Sequence, residues 1–123
     1  MLDASGSIGL SNFTRMKSFV SRLIARMDVD SGNTRVGIVT FSSSVGTYFN
    51  LNSRATIASL QPAILTLTYL GGSTNTSAAL AFVRTMMLTS AAGDRSDVPN
   101  VVGVLTDGHS SDESSTVVSI QYD

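Results

Sequence analysis

Arg35-Val36-Gly37-Ile38-Val39-Thr40-Phe41 is the stretch that decides the fold. It is β-branched and apolar at nearly every position and is bounded by polar clusters. That is the pattern of a strand whose sheet is covered on both faces, since a strand with one solvated side would alternate. Upstream, ahead of the turn-rich Asp28 to Asn33, the apolar residues Phe13, Met16, Val20, Leu23, Ile24 and Met27 recur at steps of three and four. This spacing predicts an amphipathic helix from Ser11 to Met27, with Ser11 as its N-cap. Downstream, Val45 to Phe49 follows closely enough to pair as an antiparallel edge strand. Ser53 to Leu60 has helical character that should end near Pro62, and Thr76 to Leu88 is a helix with Leu80, Val83 and Met87 on one stripe. The polar linker Gly93 to Pro99 delivers Val101 to Leu105, a second strand of the buried type.

Strands that alternate with helices specify an α/β protein: a three-layer Rossmann-like sandwich with a mostly parallel central sheet, one antiparallel edge strand and helices on both faces. The bulk numbers fit one domain over residues 1–123, because 42% hydrophobic residues in a chain of this length can build one core. Only Met1 and Leu2 precede the first polar loop. At the other end Ser110-Ser111-Asp112-Glu113 resembles a capping box, and Ser114 to Tyr122 supplies about two turns of helix. The expectation is therefore a fragment lacking the start of the first strand and the final strand and helix.

Composition removes several classes of function. Eight Lys and Arg against nine Asp and Glu leave a net charge of −1, without the basic stripe that nucleic acid or an anionic membrane needs. No apolar run approaches the roughly 20 residues that cross a bilayer, so membrane insertion is not expected. There are no cysteines, which excludes disulfides, thiolate zinc sites and thiol catalysis. The five methionines cluster mainly in helices, where Met16, Met27, Met86 and Met87 read as packing residues. Asn12-Phe13-Thr14 fits the glycosylation acceptor pattern, as does Asn75-Thr76-Ser77.

The chemistry lies in three polar loops that follow or sit beside strand ends: Asp3-Ala4-Ser5-Gly6-Ser7, Gly71 to Thr76, and Thr106-Asp107-Gly108. In an open parallel sheet, loops at the carboxyl ends of the strands converge where strand order reverses, so segments far apart in sequence can share one site. These loops would bring together oxygens only: the carboxylates of Asp3 and Asp107 and the hydroxyls of Ser5, Ser7 and Thr74. A small hard cation such as Mg²⁺ suits that set, whereas one His and no Cys disfavour zinc. Asp3, Ser5 and Ser7 at alternate positions can point one way along an extended segment, while Ala4 and Gly6 keep the other side small.

In order and approximate spacing these loops resemble the three segments of the metal-ion-dependent adhesion site of von Willebrand factor A domains. Arg35 to Phe41 is similar to that family's second strand, and Ser77 to Val83 to the helix after its threonine loop. The resemblance implies that Ser5, Ser7 and Thr74 coordinate the ion directly or nearly so, with Asp3 and Asp107 acting through water. It implies Mg²⁺ or Mn²⁺, with Ca²⁺ fitting less well. It also implies an extracellular or secreted adhesion module, similar to matrilins and collagen-associated A domains. Its partner would be a matrix protein such as collagen, or a receptor, that completes the metal shell with an acidic residue.

Two other functions use the same residues. An intracellular A domain would act as an assembly scaffold. A metal-assisted hydrolase or phosphotransferase would need a base for its serine, and the sole His109 has no evident orienting partner. It would otherwise need a phosphate loop with its lysine, but the only lysine, Lys17, lies on the first helix. The chain is read as a binding module and not as an enzyme.

Overall fold

A computed structural model describes residues 1–106. Strand β1 (Leu2–Asp3) runs parallel to β2 (Ile38–Phe41), and β2 pairs antiparallel with β3 (Val45–Phe49), in the order β1-β2-β3. On the free side of β1, Leu2 forms a parallel bridge with Leu105. The Asp3 N–H donates to the Leu105 carbonyl at 2.9 Å, and the Leu105 N–H to that of Met1 at 2.9 Å. Two of the three pairings are therefore parallel and the edge is antiparallel, as the sequence pattern predicts.

Side chains alternate across the sheet with a period of two, which sorts the core into two layers. Leu2 and Ile38 face helices α1 (Leu10–Ile24) and α2 (Ile57–Leu65), packing with Phe13, Val20, Ile24, Leu60 and Ile64. Met1, Val39 and Phe41 face the other way, onto Ala79 of α3 (Thr76–Phe82) and onto Val83 and Met87 beyond it. Helices thus cover both faces, the expected sandwich. Lys17 joins the first pair of helices: its ammonium donates to the carbonyls of Leu65 and Leu67, at 3.1 and 2.9 Å, just where α2 ends and its last carbonyls need partners.

Several boundaries differ from the sequence reading. Helix α1 starts at Leu10 and its N-cap is Gly9, not Ser11, because Gly9 at φ 80° turns the chain out of the preceding loop and its carbonyl accepts the Phe13 N–H at 3.0 Å. α1 gives way to turns after Ile24, short of Met27. Helix α2 begins later than predicted and runs through Pro62. A capping box between Thr56 and Ser59 opens it, and Asp30 accepts the Ile57 N–H at 2.8 Å. Pro62 removes one helical hydrogen bond, an interior cost of about 3 kcal/mol. Complete burial of Leu60 and Ile64 on its neighbouring turns offsets that cost.

Strand β2 is laddered only from Ile38, and ahead of it the Arg35 guanidinium donates to the Gly93 carbonyl at 2.8 Å. Residues 101–104 run beside β1 without laddering, and Val101 is 74% exposed rather than buried. Of the methionines Met87 is buried and Met16 and Met27 are half-buried, but Met86 stands exposed on the outer face of its helix. The α3 segment ends in a π-helical turn, Val83–Met87, closed by the Leu88 N–H on the Val83 carbonyl at 2.9 Å. Asn12 lies within α1, where its side-chain amide donates to the Ile8 carbonyl at 3.0 Å. The predicted Ser110–Glu113 capping box and the Ser114–Tyr122 helix lie outside the described residues.

The amino-terminal end of the sheet borders a half-open cavity of about 460 Å³. Met1, Val39, Val83, Met87 and Val102 supply its apolar wall, with Gly37 and Gly103 on the adjoining backbone. The Met1 nitrogen is buried there and donates to the Gly103 carbonyl at 2.7 Å.

Candidate metal centre

The polar loops gather at the opposite, carboxyl-terminal end of the strands. Asp3 is the last residue of β1 and is fully buried, as is Ser5. A buried carboxylate must be hydrogen-bonded or countered by positive charge. Asp3 Oδ1 accepts the Ser5 N–H at 2.9 Å and Oδ2 accepts the Thr106 hydroxyl at 2.7 Å. Both donors are neutral, so they fix the orientation of the carboxylate without cancelling its charge. The Ser5 N–H bond also folds the segment so that Ser5 and Ser7 lie side by side, with their Oγ atoms 3.2 Å apart. Ser7 is exposed and forms the solvent side of the site.

The threonine loop is stitched to this segment by backbone hydrogen bonds. The Gly6 N–H donates to the Gly72 carbonyl and the Gly71 N–H to the Ala4 carbonyl, both at 2.8 Å. Glycine at position 6 leaves room for this closure, since a Cβ there would crowd the Gly72 carbonyl oxygen at 3.2 Å. Gly71 and Gly72 both adopt positive φ, 72° and 81°, a bend that side-chain-bearing residues rarely follow. Thr74 emerges from that bend buried at the same end of the sheet, and Asn75 caps α3 by accepting the Ala78 N–H.

Among the predicted site residues the structure therefore brings Asp3, Ser5 and Ser7 into one hydrogen-bonded cluster and ties the loop of Thr74 to it. Asp107 lies outside the described residues, as does His109; the preceding Thr106 is bonded to Asp3. Two contributors were missed by sequence reasoning. Thr106 bonds Asp3 through its hydroxyl, although in the sequence only the charge of its neighbour Asp107 stands out. Ser43, in the loop between β2 and β3, accepts hydrogen bonds from Ser73. Its signal was positional: it follows β2 at the same carboxyl end where the other loops collect.

The donor set fits a small divalent cation. Adjacent ligands of an octahedral Mg²⁺ at about 2.1 Å stand about 3.0 Å apart, close to the Ser5 to Ser7 separation. Among the described residues no three His, Cys, Asp or Glu side chains cluster, so metal binding here would rest on hydroxyls and a single described carboxylate.

The family described as von Willebrand factor type A domain matches residues 1–122. The chain is 37% identical over 115 residues to the collagen alpha-4(VI) chain of Mus musculus, a match that takes in 92% of this chain and 5% of that one. It is 37% identical over 113 residues to von Willebrand factor A domain-containing protein 2 of Homo sapiens, covering 92% of this chain and 15% of that protein. The chain thus spans only a small part of either relative. Among solved structures, proximal thread matrix protein 1 from the mussel byssus, with a zinc-occupied MIDAS motif, superposes with a TM-score of 0.79 at 31% identity, over 89% of this chain and 30% of that one. In that protein a divalent cation, zinc, occupies the motif.

Proposed function

The chain belongs to the von Willebrand factor type A domain family, and from that premise we propose that it is a metal-dependent protein-binding module. Mg²⁺ or Mn²⁺ would be held by Asp3, Ser5, Ser7, Thr74 and Asp107. One observation carries this reading: two serine hydroxyls 3.2 Å apart beside a fully buried carboxylate whose described donors are both neutral. The residues themselves do three things. Asp3 supplies negative charge held in place from both sides. Ser5 and Ser7 offer neutral oxygens at octahedral spacing. The stitched loops hold Thr74 at the same strand ends.

A bound cation would supply an electron-poor centre, because its direct partners are mostly neutral. An acidic side chain of a partner protein would be the complementary group, in a partly desolvated setting where opposite charges attract more strongly than in water. The relatives place this kind of domain in collagen chains and in a thread matrix protein. On that basis the partner is a protein of the extracellular matrix, such as collagen, or a receptor, and the module works outside the cell. The reading has no catalytic step.

The test is a surface-resonance assay of the chain against a panel of matrix proteins with Mg²⁺ and again with chelator. Binding should require the metal and should be lost in Thr74→Ala while the fold, followed by circular dichroism, persists. Equal binding in both conditions would remove the metal from recognition.

A further inference from the structure

Thr74 follows the Gly71-Gly72 bend with only Ser73 between, and two adjacent glycines cannot by themselves hold the residues that follow in one place. The residues on either side of it are fixed from outside the loop, and both fixings come from the Ser42–Ser44 turn between β2 and β3. The Ser73 N–H donates to Ser43 Oγ at 3.0 Å and the Ser73 hydroxyl donates to the same oxygen at 2.9 Å. On the other side of Thr74 the Asn75 N–H donates to the Ser42 carbonyl at 2.8 Å. The turn is itself closed by the Ser42 N–H on the Ser44 carbonyl at 2.9 Å. Contact is close enough that a Cβ on Gly72 would stand 2.8 Å from Ser43 Oγ.

We propose that Ser43 is a positioning residue for the metal site, acting through Ser73 to set where the Thr74 hydroxyl stands. The proposal rests on the reading of Thr74 as a metal ligand. Ser43 is one of the few places where this can be tested without damaging the fold, because it is exposed and its hydroxyl serves the loop rather than the core. Exposed substitutions of this kind usually change stability very little. Groups that orient a metal ligand nevertheless set affinity, and losing one typically weakens binding 10–100-fold.

The experiment is calorimetric titration of the folded chain with Mn²⁺, run on the parent, Ser43→Ala, Ser43→Thr and Thr74→Ala, with a thermal melt of each metal-free protein. Ser43→Ala should bind Mn²⁺ about 10-fold more weakly with its melting curve unmoved. Ser43→Thr keeps the acceptor oxygen and has solvent into which to turn its methyl group, so it should bind like the parent. Rescue by Thr separates a hydroxyl acting on the metal loop from mere surface packing. Parent-like affinity in Ser43→Ala, with binding lost in Thr74→Ala, would overturn the role of Ser43 and leave the metal site standing. Parent-like affinity in Thr74→Ala would overturn both.

Discussion

The two ends of this sheet are built on opposite terms. At the carboxyl ends of the strands, polar groups are partnered: the buried Asp3 by Ser5 and Thr106, the exposed Ser73 by Ser43, and the Asp3–Ser7 segment by the glycine bend. At the amino ends the chain borders a cavity, and Asp94 on its lining keeps a buried Oδ1 with no partner among the described residues. Both ends belong to the same strands, so the difference is not one of fold. A site that must hold several oxygens at fixed spacing needs supporting hydrogen bonds around each of them, and this protein concentrates such support where the oxygens are.

The largest test removes the charge at the supported end. Asp3→Ala should weaken Mn²⁺ binding roughly 100-fold or more in a calorimetric titration, since it deletes the carboxylate that the other groups orient. Affinity within a factor of a few of the parent would mean that the organised end is not organised around a cation. Metal itself should sharpen the contrast. Mg²⁺ at about 100 times its dissociation constant should add about 2.7 kcal/mol to stability. In hydrogen exchange, local protection beyond that global gain should fall on residues 3–7 and 71–75 and spare 101–103. Added protection shared equally by the two ends would contradict the division.

Paired glycine substitutions probe the same division without metal. Gly72→Ala forces a side chain onto φ 81° and places its Cβ 2.8 Å from Ser43 Oγ. It should lose about 1–3 kcal/mol in urea denaturation. Gly103→Ala meets nothing within 4 Å and needs no unusual φ, so it should be neutral or gain up to about 1 kcal/mol by restricting the unfolded chain. Similar losses for both would show that the two ends are equally constrained.

The smallest effect concerns Asp28, in the turn that leads to the cavity's rim. Hydrogen bonds from Ser31 and then Asn33 hold its carboxyl below the ordinary value. A depressed acid stabilises the fold above its unfolded pKa of 3.8 and loses that contribution as pH falls through the lower folded value. An NMR titration should find Asp28 shifted down, and Ser31→Ala should return it toward 3.8. A titration midpoint unchanged by that substitution would assign the shift to another cause.

Much of this was legible in the sequence, for identifiable reasons. The apolar run ending at Phe41 and the three-and-four spacing before Ile24 reflect burial, which periodicity reports directly. The polar loops were legible as a group because strand ends in an α/β sheet share an edge. What was not legible depends on contacts between distant residues. Gly9 displaced Ser11 as the cap of α1 because of how the preceding loop closes. Pro62 stayed inside α2 because its neighbours are buried. The Arg35 guanidinium finds a carbonyl 58 residues away. The supports of the candidate site that were missed, Thr106 and Ser43, are small hydroxyl residues that look like any loop residue until their partners in other loops are seen.

The π-helical turn at Val83–Met87 bears on how the chain tolerates changes in length. A π-turn holds one residue more than the α-turn it replaces, so deleting a single residue within this stretch would restore an ordinary helix with the chain on either side left in register. Val83 and Met87 pack on the sheet, while Met86 points away from it and is the residue that could go with least loss of contact. The slack lies downstream of Thr76, on the helix that follows the threonine loop. A single-codon deletion there could be absorbed before it reached the oxygens that the loop presents, which makes this turn a natural place for sequences of different length to diverge while keeping the same site.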